Sequence, residues 1–170
     1  MDIRNKKPFK ILLDSNHGAS YTGSSIFNAT YYIDLTKLLT NQEDFNKPYL
    51  MYCTFKSRAD IIANNQITNN EVYFLTIDLF KGYNLYQYNN RSGNTIYSVP
   101  VMYTLEGAAA TDKQTYFDLR DNDSKPVYIS DLNNVSKIYL NLSIASSSAT
   151  FAPLTPANSK YVCLLTFVEC

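Results

Sequence analysis

The segment KIYLNLSI, residues 137–144, places Ile138, Leu140, Leu142 and Ile144 on one side of an extended backbone and Lys137, Tyr139, Asn141 and Ser143 on the other. Successive side chains of a strand point to opposite faces, so a period of two marks a strand with one face buried. The same texture recurs in YYIDL (31–35), YLMYCTF (49–55), VYFLTIDLF (72–80), TIYSVPVMYTL (95–105), TYFDLR (115–120) and YVCLLTFVE (161–169). No amphipathic helical run of ten or more residues separates these segments, which argues against the alternating units of a parallel sheet. The expected fold is all-β: an antiparallel β-sandwich, a single jelly-roll of about eight or nine strands.

Local signals refine this outline. Residues 1–8 read as a polar, basic N-terminal arm, followed by a first strand in PFKILLDS that ends at Asp14, and then by a loop, SNHGASYTGSS. IFNATYYIDLTKLL enters a strand near Ala29 and closes on a short helical turn near Leu38 and Leu39, with NQEDFNKP as a polar turn. After the strand at 49–56, SRADIIANNQITNNE (57–71) has no sustained period and reads as a loop with one helical turn. VYFLTIDLF is apolar on both faces except for Thr76 and Asp78, the pattern of a central strand covered on both sides. NLYQY (84–88) and residues 95–106 flank NNRSGN, a hairpin signal. Pro100 cannot donate to a ladder, so the second of these strands is expected at an edge or broken at a bulge. No compositional break marks a linker, and residues 1–170 read as one domain.

Composition limits function more than fold. Fifteen basic residues balance fifteen acidic ones, so no net charge draws the chain to nucleic acid or an anionic membrane. No stretch approaches the roughly 18 apolar residues of a membrane-spanning helix. Cys53, Cys163 and Cys170 show no CxxC spacing, and MDIRNKKPFK lacks the apolar region of a signal peptide. Both features suit a soluble protein made in a reducing cytosol. Polarity comes mainly from amides and hydroxyls, with 18 Asn, beside 15 Tyr and 9 Phe and no Trp. Tyr favours pleated surfaces and protein contacts, although an AT-rich genome biases codons the same way. Five Asn-x-Ser/Thr triplets, beginning at Asn28, Asn90, Asn122, Asn134 and Asn141, are what such abundance of Asn produces by chance.

Residues that carry chemistry are sparse. His17 is the single histidine, which excludes a histidine-based metal cluster and leaves a catalytic triad only one possible base. It sits in the loop SNHGAS, where a solvated histidine is the plainer reading. Cys53 and Cys163 fall inside strands, as small buried hydrophobes do. Four apolar-Asp-Leu steps, at Asp34, Asp78, Asp118 and, more loosely, Asp131, would bind calcium or act as paired carboxylates if they converged. Asp at strand ends more simply caps turns and guards edges. RNKKPFK, with four cations in residues 4–10, is the one basic cluster; it suits phosphate, an acidic neighbour or plain solvation. No cofactor site and no enzyme activity are read from these residues.

The strand framework and the stretch VYISDLNNVSKIYLNLSIASSSATFAPLTPANSKYVCLLTFVE, with paired late strands around a long polar loop, resemble the single jelly-roll capsid proteins of large eukaryotic DNA viruses and their virophages. The resemblance spans nearly the whole chain. It implies a penton (vertex) or minor capsid protein, made in the host cytoplasm and located in the virion. Its partners would be copies of itself, as a pentamer at a vertex, together with the major capsid protein and other minor ones. It also implies that the arm bearing Arg4, Lys6 and Lys7 and the loops bearing Tyr83, Tyr86, Tyr88, Phe151 and Leu154 touch neighbouring subunits. Two other functions compete: a carbohydrate- or receptor-binding sandwich, whose usual aromatic platform would include the absent Trp, and a small hydrolase dependent on His17.

Overall fold

The computed structural model describes residues 8–16, 19–21, 26–62, 73–79, 95–99, 101–106, 112–120, 125–133, 135–144 and 160–170. These form two antiparallel sheets that share one apolar core. The strands are β1 (Phe9–Asp14), β2 (Ala19–Tyr21), β3 (Asn28–Tyr32), β4 (Tyr49–Ile62), β5 (Tyr73–Asp78) and β6 (Thr95–Val99). They continue with β7 (Val101–Glu106), β8 (Asp112–Leu119), β9 (Val127–Ile129), β10 (Lys137–Ile144) and β11 (Lys160–Glu169). The first sheet runs β1-β11-β4-β8-β7, with β9 also paired to β4; the second runs β2-β3-β10-β5-β6.

The pairing is nested. First strand meets last in β1·β11, then β3 meets β10, β4 meets β8 and β5 meets β6. A long ribbon of four such pairs, rolled until β11 also touches β4 and β10 also touches β5, gives the two facing sheets of a β-sandwich. Rolling also hides the strands that would be most exposed to edge pairing: β4, β10 and β11 all lie inside their sheets.

Alternation decides which side chains meet. In β10, Ile138, Leu140 and Leu142 are fully buried while Lys137, Tyr139 and Asn141 are half-buried. In β11, Tyr161, Cys163, Leu165 and Phe167 point inward, facing Met51, Cys53, Phe55 and Ser57 of β4. Two aromatic clusters fill the gap. Tyr161 lies between Phe55 and Phe27, with ring centroids 5.7 and 5.8 Å away, and the hydroxyl of Tyr31, from the opposite sheet, donates to that of Tyr161 at 2.6 Å. Phe9 stacks on its ladder partner Phe167 at 4.7 Å and meets Tyr49 edge-on at 5.4 Å.

Several local expectations change. Residues 57–62 continue β4 rather than forming a loop, because β8 supplies a ladder partner for each of them, from Ser57 opposite Phe117 to Ile62 opposite Asp112. A continuous ladder overrides weak strand propensity. Ala19–Tyr21, read as loop, form a short edge strand on β3. As expected of a strand at an edge or broken at a bulge, 95–106 holds two strands: β6 belongs to the second sheet and β7 to the first, both at edges, with a register shift between Val101 and Tyr103. The described partner of β6 is β5; Pro100 and residues 84–88 lie outside the described residues. β5 is interior, flanked by β10 and β6, and Leu75, Thr76 and Ile77 are all buried. The helical turn near Leu38 is a 3-10 turn at Leu35–Lys37, and a second one covers Gln42–Asn46. No helix among the described residues is long and apolar enough to cross a membrane.

Candidate functional site: the outer face of the first sheet

The residues of β1, β11, β4, β9 and β8 that point away from the core fall into five rows, read directly from the ladder registers. Val168, Leu50 and Tyr128 form the first; Lys10, Thr166 and Tyr52 the second; Leu12, Leu164 and Thr54 the third. The fourth holds Asp14, Val162, Lys56 and Asp118, and Lys160 belongs to the fifth. An antiparallel sheet normally turns polar side chains to water on its outer face. Here Leu12 is 61% exposed, Val162 43% and Tyr128 63%; half-buried Leu164 joins Leu12 to Val162, half-buried Leu50 and Val168 continue the row of Tyr128, and Lys10, Thr166 and Tyr52 lie between the two apolar groups.

Charged residues stand between and beside these apolar groups. Lys10 and Asp14 flank Leu12 on β1, and Lys56 stands beside Asp118. Arg120 pairs with Asp118 at 3.2 Å. The hydroxyl of Thr166 is buried within the face and has no hydrogen-bond partner among the described residues. The outer face of the second sheet is different: Asn28, Thr30, Tyr139 and Asn141 line it, and the Lys137 ammonium sits 5.1 Å from the ring centre of exposed Tyr32.

Other chemistry-bearing groups serve the framework. Asp34 accepts from the Thr36 amide and hydroxyl, capping the 3-10 turn, and these bonds hold its carboxyl below the usual carboxylate range. Asp131 caps its turn through the Asn133 amide, and Asp14 does so through that of Asn16. Asp34, Asp118 and Asp131 are therefore held by separate turns and neighbours, and no metal-binding group of acidic, histidine or cysteine residues occurs among the described residues. The thiols of Cys53 and Cys163 lie 3.7 Å apart, both fully buried. Lys47 ties the second 3-10 turn to β11, 2.7 Å from Asp44 and 3.5 Å from Glu169.

The side chains expected at subunit contacts, Arg4, Lys6, Lys7, Tyr83, Tyr86, Tyr88, Phe151 and Leu154, lie outside the described residues, as does His17. The apolar face is a site that strand reading passed over. Its signal was present in YVCLLTFVE, where Val162, Leu164 and Val168 occupy the alternate positions that a half-solvated strand fills with polar residues. Neither a protein-family model nor a curated protein matches the chain.

Proposed function

We propose that the chain is a structural virion protein, a penton or minor capsid component that assembles with copies of itself and with the major capsid protein in an icosahedral shell. The observation that carries this reading is a two-sheet β-sandwich whose first sheet turns Leu12, Val162 and Tyr128 outward. Jelly-rolls serve as capsid subunits, lectins and cupins. Cupin chemistry needs a histidine-rich metal site, and this chain has one histidine. Subunits that tile a shell need uncovered apolar area on a rigid sheet, which Leu12, Val162, Leu164 and Tyr128 supply. The carboxylates that cap turns and the buried thiols suit a structural part with no catalytic step. Quantitative mass spectrometry of gradient-purified shell particles tests the reading. The chain is expected at a fixed ratio to the main shell protein; a soluble monomer absent from particles contradicts it.

A second reading, a carbohydrate- or receptor-binding module, draws support from the outer face of the second sheet. There Tyr32 and Tyr139 stand among Asn28, Thr30 and Asn141, a combination of rings and amides suited to sugar hydroxyls. Glycan-array binding that Tyr32→Ala abolishes would favour it.

A further inference from the structure

The rows of the first sheet's outer face have a symmetric distribution of chemistry about their middle. Leu12, Leu164 and Thr54 form the third of five rows. On one side lies Lys10 with Thr166 and Tyr52, and on the other Asp14 with Val162 and Lys56. A two-fold axis lying in the face along the third row would bring two copies together with the second row of each over the fourth row of the other. Leu12 and Leu164 then meet their counterparts. Lys10 stands opposite Asp14 of the second copy, Asp14 opposite its Lys10, and Lys56 over its Tyr52 ring, the kind of cation and ring contact that Lys137 and Tyr32 make within the chain. At the ends, Val168 comes opposite Lys160, whose stem can cover it. One rotation thus complements both charges of β1 twice, as an isologous interface requires.

The described positions of these rows, about 4.8 Å apart across strands and about 6.8 Å along them, span roughly 460 Å², less than the about 800 Å² per partner of a standard specific interface and of the size of a weak, reversible one. We propose that this face binds a second copy of the chain, sheet against sheet, through the Leu12 and Leu164 row and two Lys10 to Asp14 pairs. The proposal rests on the assembly reading for the identity of its partner. Twisted sheets pack face to face at about −30° and about 10 Å, within reach of a lysine and an aspartate.

The test uses the full chain in sedimentation equilibrium and native mass spectrometry. Wild type is expected to dimerise. Lys10→Asp sets acid against acid in its own dimer, and Asp14→Lys sets base against base, so each alone should weaken dimerisation at least tenfold. An equal mixture of the two variants should recover dimers, and these should be heterodimers, because both cross-copy pairs are then restored. Far-ultraviolet circular dichroism identical to wild type in both variants shows that folding is intact. A third variant, Leu12→Glu, should be monomeric with either partner. Wild type that stays monomeric at all concentrations, single variants that dimerise as wild type does, or a mixture that stays monomeric would each overturn the proposal. Monomeric wild type that is nonetheless found in shell particles would sink the dimer and leave the capsid reading standing; a dimer absent from particles would do the reverse.

Discussion

At the scale of single residues, the clearest strut between the sheets is the Tyr31 to Tyr161 hydroxyl pair, 2.6 Å long and fully inside the core. Removing one partner of a buried hydrogen bond costs about 1–3 kcal/mol, so Tyr31→Phe should lower unfolding free energy by that much in urea titration. The pair with Tyr161→Phe should cost less than the sum of the single changes. A different corner reports on pH. Tyr49 is buried, and that burial, reinforced by Asp44 and Glu169, raises its pKa; the hydrogen bond to Asp44, followed by the charges of Asp44 and Glu169, raises that of Lys47. A raised folded-state pKa gives stability that is complete below the unfolded value and lost as pH climbs through the folded one. Thermal melting should therefore fall above about pH 10, where Tyr and Lys ordinarily titrate. Tyr49→Phe should make that fall shallower and cost about 1 kcal/mol at neutral pH through loss of its bond to the Asp44 carbonyl. The Tyr31 to Tyr161 pairing is not legible in the sequence, since the two stand 130 positions apart and only the roll of the ribbon joins them.

At the scale of elements, faces were legible wherever alternation was clean. β10 matches the segment read from KIYLNLSI residue for residue, and Leu140→Ala is expected to cost about 2–5 kcal/mol, whereas Asn141→Ser on the other face should cost under about 1 kcal/mol. Denaturant midpoints compare the two directly. Where the ladder itself makes the strand, local signals failed: Ser57 to Ile62 carry Arg58 and Asp60 and show no period, yet β8 and the chain of β4 hold them extended. The segment 95–106, expected at an edge or broken at a bulge because of Pro100, is broken into two edge strands, β6 and β7, with a register shift between Val101 and Tyr103. Thr166 offers a test of the outer face. Its buried hydroxyl lacks a partner among the described residues, so Thr166→Val should be neutral or stabilise by up to about 1 kcal/mol.

At the scale of the whole molecule, the class of fold followed from periodicity and the absence of helices, while strand order did not, because pairing such as β1 with β11 is a property of closure rather than of either segment. The site was half legible. Leu12 and Val162 read as ordinary strand residues until the registers set them diagonally on one exposed face. In the proposed assembly reading, a two-sheet sandwich presents exposed Leu12, Val162 and Tyr128 on one outer face as a contact surface. The most direct measurement is electron microscopy of purified shell particles with and without the chain. The account predicts a compact two-sheet density at discrete, symmetry-related positions, lost when the chain is deleted; particles of identical density in both preparations would contradict it.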